Sequence, residues 1–384
     1  MSDDASVTLY ESSQEIYDAS TRGDGLRSRK INFDPNREGE WQTITVDPNT
    51  VHQEIIGFGG AFTDAATFNI GLMTPDEQEE ILAAYYGPTG NNYSIGRVPI
   101  GSCDFSIEPY SYCSKVDDFD LASFALNEKW DVETRIPIIK RANELRGKPL
   151  QLFASPWTAP PWMKDNNNFI SGALKKDDRY HKAWALYFSK YLSAYASNGL
   201  PFWAVTVQNE PTAPGPPVIN WETMRFTAEQ EQAFIADHLG PQLAETHPDV
   251  NIIMLDDQKS LLPGWAESVL KGSAVKYVKG IGVHWYGPFG PIDEFEKLAA
   301  TSKAFPDHFL LATEACQGFE PLQHGPSFSE PARWERGESY AHDICGDINS
   351  GVCGWTDWNI VLNRMGGPNH AGNYLTASAA NRRH

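Results

Sequence analysis

The feature that most constrains this chain is an alternation of short apolar runs with amphipathic stretches. Apolar or β-branched runs at 55–60, 92–100, 150–155, 202–208, 250–255, 281–285, 308–313 and 352–358 read as buried strands. Helical patterns at 74–86, 131–145, 179–197, 227–243, 265–270, 292–300 and 331–347 fall between them. Residues 74–86 carry a capping Thr74, Pro75 at the first helical position and acidic residues in the first turn. Eight strands alternating with helices predict a parallel (β/α)8 barrel rather than an open doubly wound sheet.

Polar and aromatic residues gather at one end of these strands. Asp104, Trp157, Asn209, Glu210, His284, Trp285, Tyr286, Glu314, Asp357 and Trp358 all follow or close an apolar run. That is the C-terminal face, where barrels build active sites. The run FWAVTVQNEP turns from apolar to polar at Gln208, Asn209 and Glu210, and HFLLATEACQG ends its apolar run at Glu314. In a closed barrel strands four and seven face one pocket, so Glu210 and Glu314 form a carboxylate pair across it. Glycoside hydrolysis needs such a pair: one carboxyl protonates the leaving oxygen and the other attacks or activates water.

Other residues fit the same chemistry. Asn209 can bond a sugar 2-hydroxyl. Asp104 can bind hydroxyls, and Trp358 can stack on a pyranose face. Tyr286 can hydrogen-bond a carboxylate and keep it ionised. His284 reads either as a site residue or as a structural histidine on a buried strand. Ile55 to Gly60 reads as a short strand entering a tight glycine turn, without the GxGxxG spacing of a phosphate cradle. HExxH and GxSxG are absent, so neither a metalloprotease-type zinc site nor a serine nucleophile has support. No metal or other cofactor is expected.

Composition narrows the partners. Fifty acidic against 31 basic residues give a net charge of −19, which opposes binding to nucleic acid or to anionic membranes. Aromatic content is 12%, with 12 Trp, of which about half read as core and the rest as candidate sugar-site lining. The five cysteines show no metal or CxxC spacing and read mostly as buried free thiols. Residues 1–53 are expected to form an accessory β element, with strands at 7–10 and 42–46 and a loop at 20–29. Residues 54–384 are expected to form the barrel. No amphipathic helix is visible at 371–384, so either the chain is truncated or the N-terminal segment covers the last seam. Neither a signal peptide nor a membrane-spanning run is visible. That reads as cytoplasmic by default, or secreted or lysosomal if the chain is processed.

The segments GFGGAFTDAA, RVPIGSCDFS, ASPWTAPPWM, FWAVTVQNEP, GVHWYG, LLATEAC and GWTDWNIVLN, in that order, resemble the glucosylceramidase family, glycoside hydrolase family 30. The resemblance implies retaining hydrolysis, most simply of glucosylceramide to glucose and ceramide. It implies Glu210 as acid/base and Glu314 as nucleophile. It also implies a glucose pocket of Asp104, Trp157, Asn209, His284, Tyr286, Trp358 and, in a more divergent stretch, Asn373. The substrate would be a β-glucoside or glycosphingolipid, with transient contact at a membrane surface; the oligomeric state is not legible. The family's C-terminal β-sandwich strands are not visible in this sequence, and the loop at 212–217 is short and proline-rich. A β-xylosidase or β-1,6-glucanase specificity, or a non-catalytic glycan- or glycolipid-binding protein, are the alternatives. A metal-dependent hydrolase has no ligand cluster behind it.

Overall fold

The computed structural model describes residues 6–13, 15, 26–32, 45–287, 290–317, 330–364 and 366–370. They fall into two compact units, the first comprising the residues before 53 together with 330–342, and the second the remainder. In the first unit, strand Ser6–Ser12 pairs antiparallel with Leu26–Asn32, Glu11 facing Arg27. Positions 26–29, read from sequence as loop, are therefore strand. Both faces of this ribbon are largely exposed, Tyr10 at 66%, so no apolar alternation marks it. Of the expected strand at 42–46, residues 42–44 lie outside the described residues, and Thr45 and Val46 are irregular.

The second unit is a closed barrel of eight parallel strands. These are β1 (Gly57–Ala61), β2 (Ile95–Ile100), β3 (Gln151–Pro156), β4 (Ala204–Thr206), β5 (Asn251–Gln258), β6 (Val278–His284), β7 (Phe309–Glu314) and β8 (Val352–Asn359), with β8 pairing back onto β1. Helices α1 (Asp64–Gly71), α2 (Pro75–Tyr86), α3 (Ile136–Arg146) and α4 (Asp178–Ser197) connect the early strands. α1 was not expected from the sequence. Thr63 caps it, its hydroxyl accepting from Ala66 N. α2 begins with the full capping box of Thr74 and Glu77.

The glycine run at 57–60 is strand β1, not a turn. A Cβ on Gly59 would lie 2.0 Å from the Ile95 carbonyl oxygen, and one on Gly57 would lie 1.8 Å from Ser94 Oγ. Glycine lets β1 approach β2 closely enough to close the barrel. β4 is shorter than its apolar run: Phe202 and Trp203 precede the ladder, although Trp203 N still donates to Leu152 O at 2.8 Å.

The barrel interior is layered. Ile95, Phe153, Ala204, Ile253 and Leu311 form one apolar cluster, with Ile56, Trp203 and Phe309 packed on it. Ala61, Cys103, Trp157 and Trp358 form another, toward the C-terminal ends. Beyond β5, Lys259 Nζ bonds Asp343 at 2.6 Å and Asp347 at 2.7 Å, a fully buried ion cluster. All five cysteines are free: Cys103, Cys113 and Cys353 are buried, Cys316 is half-buried and Cys345 exposed. No helix among the described residues is long and apolar enough to cross a membrane.

Candidate active site

The site is organised around a charge inside the barrel. Arg97 sits mid-strand in β2 and is fully buried. An unpaired guanidinium there would be costly, so every face of it is met. Its Nη1 bonds Glu314 Oε2, Nη2 bonds Asn209 Oδ1 at 2.8 Å and Asp256 Oδ2 at 2.9 Å, and Nε donates to Ser155 Oγ at 3.1 Å. Its guanidinium carbon stands 4.9 Å from the Trp157 ring centre and 5.3 Å from that of Trp358.

Glu314 closes β7 and is 7% exposed. Tyr286, just past β6, donates its hydroxyl to Glu314 Oε1 at 2.9 Å. Burial pushes the Glu314 carboxyl above its ordinary range, against the pull of Arg97 and His284.

Glu210 follows β4 in the left-handed backbone region, at φ 43°. Two backbone bonds fix this turn: Asn209 N donates to Pro156 O and Glu210 N to Asp256 O, each at 2.9 Å. Consecutive residues are thereby tied to β3 and β5. Glu210 Oε1 accepts from Gln258 Nε2 at 2.8 Å and lies 3.1 Å from His284 Nδ1. The other ring nitrogen, Nε2, lies 3.0 Å from Asp256 Oδ1. Both nitrogens of His284 therefore face carboxylates. Burial disfavours its charge, but Glu314, Asp256 and Glu210 outweigh burial and hold the imidazole up to about 10. Asp256 is buried too, yet Arg97, His284 and Thr206 hold it well below the usual carboxylate range.

Ligand atoms of Glu210, His284 and Glu314 all lie within 4.8 Å of one another. A cation could be bracketed by such a trio. A doubly donating His284 has no lone pair to offer, however, and Arg97 already neutralises Glu314. The donor set suits an imidazolium between carboxylates better than a metal ligand.

The pocket wall is aromatic. Trp157 and Trp358 stack with ring centres 5.0 Å apart and planes 18° apart. Asp104 stands near them, and its enclosed Oδ1 has no hydrogen-bond partner among the described residues. Burial, reinforced by Glu314, Glu222 and Glu210, pushes the Asp104 carboxyl well above its ordinary value. A small site results, with two close carboxylates, an unsatisfied acceptor and flat apolar rings. Such a set can bind a polyol ring and move a proton at its edge.

Of the residues expected from the sequence, Glu210, Glu314, Asn209, His284 and Tyr286 join one hydrogen-bonded network with Arg97. Trp157 and Trp358 line it, and Asp104 adjoins it. Trp285 packs elsewhere: its Nε1 donates to Cys316 O, and its ring meets Trp355 edge-on. Asn373 lies outside the described residues. Sequence reasoning passed over Arg97, Asp256 and Gln258. The available signal was an arginine inside an otherwise apolar strand, SIGRVPI, which requires buried counter-charges.

Comparison with known proteins agrees with the barrel fold. The model of the glycosyl hydrolase family 30 TIM-barrel domain matches residues 55–381. Lysosomal acid glucosylceramidase of Mus musculus is 42% identical over 364 residues, covering 94% of this chain and 70% of that protein. Among solved structures, SrfJ from Salmonella typhimurium superposes with a TM-score of 0.83 at 31% identity, covering 96% of this chain and 78% of that one. The endo-β1,6-glucanase BT3312 superposes with a TM-score of 0.81 at 25% identity, covering 96% and 77%. The barrel, the carboxylate pair and these likenesses lead to one assignment: the chain belongs to glycosyl hydrolase family 30 and is a glycosidase.

Proposed function

We propose that this glycosidase cleaves β-glucosidic bonds with retention, glucosylceramide being the foremost substrate, by double displacement through Glu314 and Glu210. The observation that carries the reading is the short span between the two carboxylates, whose nearest oxygens lie within 4.8 Å. Inverting enzymes keep their carboxyls about 6.5–9.5 Å apart to seat a water, whereas retaining ones bring them to about 5–5.5 Å.

In the first step Glu314 attacks the anomeric carbon while protonated Glu210 gives its proton to the leaving oxygen. Glu210 Oε1 is occupied by Gln258 and His284, which leaves Oε2 to carry that proton. Arg97 and Tyr286 aim the Glu314 carboxylate, and the Arg97 charge works against the effect of burial. In the second step Glu210 takes a proton from water, which releases the sugar from Glu314. Asp104 accepts sugar hydroxyls, Asn209 meets the 2-hydroxyl, and Trp157 and Trp358 pack the ring. Asn373 is proposed as a further sugar contact on the family resemblance alone. The accessory β element, 1–53, is proposed to be distinct from the catalytic region, 54–384.

Likeness to a glucosylceramidase supports a glycosphingolipid substrate, with transient contact at a membrane surface. Likeness to an endo-β1,6-glucanase supports a second reading, a β-1,6-glucan substrate. Turnover of glucosylceramide in mixed micelles, β-1,6-glucan, and aryl β-glucoside and β-xyloside separates them. Preferred release of glucose from glucosylceramide is expected; preference for the polymer would move the assignment to the second reading.

A further inference from the structure

Glu222, on the loop after β4, is completely buried. Its carboxylate Oε2 lies 3.1 Å from His370 Nε2, on the segment that follows β8. The opposite nitrogen of that ring, Nδ1, lies 3.1 Å from Ser106 O, and the His370 backbone N donates to the same carbonyl at 3.1 Å. One nitrogen thus faces a carboxylate and the other a carbonyl. Glu222 Oε2 faces Nε2 at ion-pair distance only: neither Glu222 oxygen has a hydrogen-bond partner among the described residues, so a charged His370 ring is what balances this buried carboxyl.

Ser106 ends the turn that carries Asp104. Ser106 N donates to Cys103 O at 3.0 Å, and Ser106 Oγ accepts from Cys103 N at 3.0 Å while donating to Asp64. His370 therefore bonds the turn at the Ser106 carbonyl while Asp64 bonds it at the Ser106 hydroxyl. The three loops joined at this point follow β2, β4 and β8.

We propose that Glu222 and His370 are a positioning pair that locks the Cys103–Ser106 turn, and with it Asp104, against the sugar pocket. The imidazolium serves both sides, its charge facing Glu222 and its Nδ1 the Ser106 carbonyl. When it loses its proton, the attraction to Glu222 is lost and the ring's hold on the turn weakens, leaving the backbone bond from His370 N to Ser106 O. Glu222 raises the protonation range of His370 against the opposing effect of burial. The titratable groups that act on the pair are Asp64, itself held by Arg135, on His370, and Asp104, Cys103 and Lys164 on Glu222. Lys164 Nζ is occupied by Thr158 Oγ1 and the carbonyls of Phe169 and Thr223, so it does not replace His370.

The effect on turnover rests on the reading of Asp104 as a sugar contact; the pairing itself does not. Two measurements keep them apart. NMR titration of the His370 ring, assigned with His370→Gln, reads the pair alone. Its midpoint is expected above the ordinary histidine value of about 6.5 and is expected to fall in Glu222→Gln. An unchanged midpoint in Glu222→Gln overturns the proposal whether or not the protein turns over substrate. Steady-state kinetics on an aryl β-glucoside then reads the pocket. Glu222→Gln and His370→Gln are each expected to raise KM about tenfold at pH 5 with little change in kcat, and the double variant no further. In the parent, KM should climb as His370 deprotonates, and that limb should shift in Glu222→Gln. Equal loss of kcat and melting temperature in all variants, with the KM profile unmoved, would reduce the pair to a structural contact and overturn the positioning role.

Discussion

Tyr286 Oη stands 2.9 Å from Glu314 Oε1, while Arg97 bonds the other oxygen of the same carboxylate. The carboxylate is therefore held from both sides. Removing the hydroxyl in Tyr286→Phe deletes one hydrogen bond to a charged group, about 1.5–3 kcal/mol. If Glu314 is the nucleophile, kcat/KM should fall about 10- to 100-fold with KM little changed. Stopped-flow or steady-state assays on an aryl β-glucoside check this. An unchanged kcat would show that the hydroxyl does not tune Glu314.

Arg97 carries a larger structural burden. Arg97→Met leaves Glu314 and Asp256 buried without their counter-charge. Breaking a buried pair this way costs about 3–5 kcal/mol. Denaturant unfolding should show that loss, and Arg97→Lys should recover only part of it. A single ammonium cannot reproduce the fork that reaches Glu314, Asn209, Asp256 and Ser155 together.

Glycines in the barrel and in α1 should behave oppositely. Gly59→Ala drives a Cβ into the Ile95 carbonyl at 2.0 Å, a backbone clash that opens the β1–β2 seam. A loss of about 3 kcal/mol or more is expected in urea unfolding. Gly71→Ala, at the end of α1, meets nothing within 4 Å and should be neutral or slightly stabilising.

Stability should fall from mildly acidic to neutral pH. Burial pushes Glu231 from 4.5 up to about 7, and burial, with Asp343 opposing its charge, raises Asp347 from 3.8 to about 7. A carboxyl raised in the folded state binds its proton more tightly there. Its stabilising contribution is complete below the unfolded value and is lost as pH climbs to the folded one. For Glu231 the loss is on the order of 3 kcal/mol between pH 4.5 and 7. His284, held up to about 10, adds a further decline above pH 6.5. Asp256 acts in the other direction, but only below its ordinary value of 3.8. Calorimetry should give a melting temperature several degrees higher at pH 5 than at pH 8, and Glu231→Gln should flatten that difference.

The barrel was legible because its strands are buried on both faces and read as continuous apolar runs that end abruptly in polar residues. Glu210 and Glu314 stood out for the same reason. Arg97 did not, because the groups that justify a charge in β2 come from β3, β5, β7 and Asn209 in the turn after β4, far apart in sequence. The β1 glycines suggested a turn, since glycine's freedom is usually spent there; their role is to let two backbones approach, which only the closed sheet reveals. The strand Leu26–Asn32 was hidden by exposure on both faces. Glu222 and His370 each look like ordinary loop residues until the fold brings them to 3.1 Å.

The most direct test of the account is to trap the sugar on the protein. Incubation with a 2-deoxy-2-fluoro β-glucoside bearing an activated leaving group slows release of a covalent intermediate. Peptide mass spectrometry should then locate the fluoroglucosyl group on Glu314, with no label in Glu314→Gly. Azide should restore turnover to that variant as the inverted glycosyl azide. Labelling of Glu210 instead, or direct release of the inverted sugar by the parent with no label at all, would contradict the central claim.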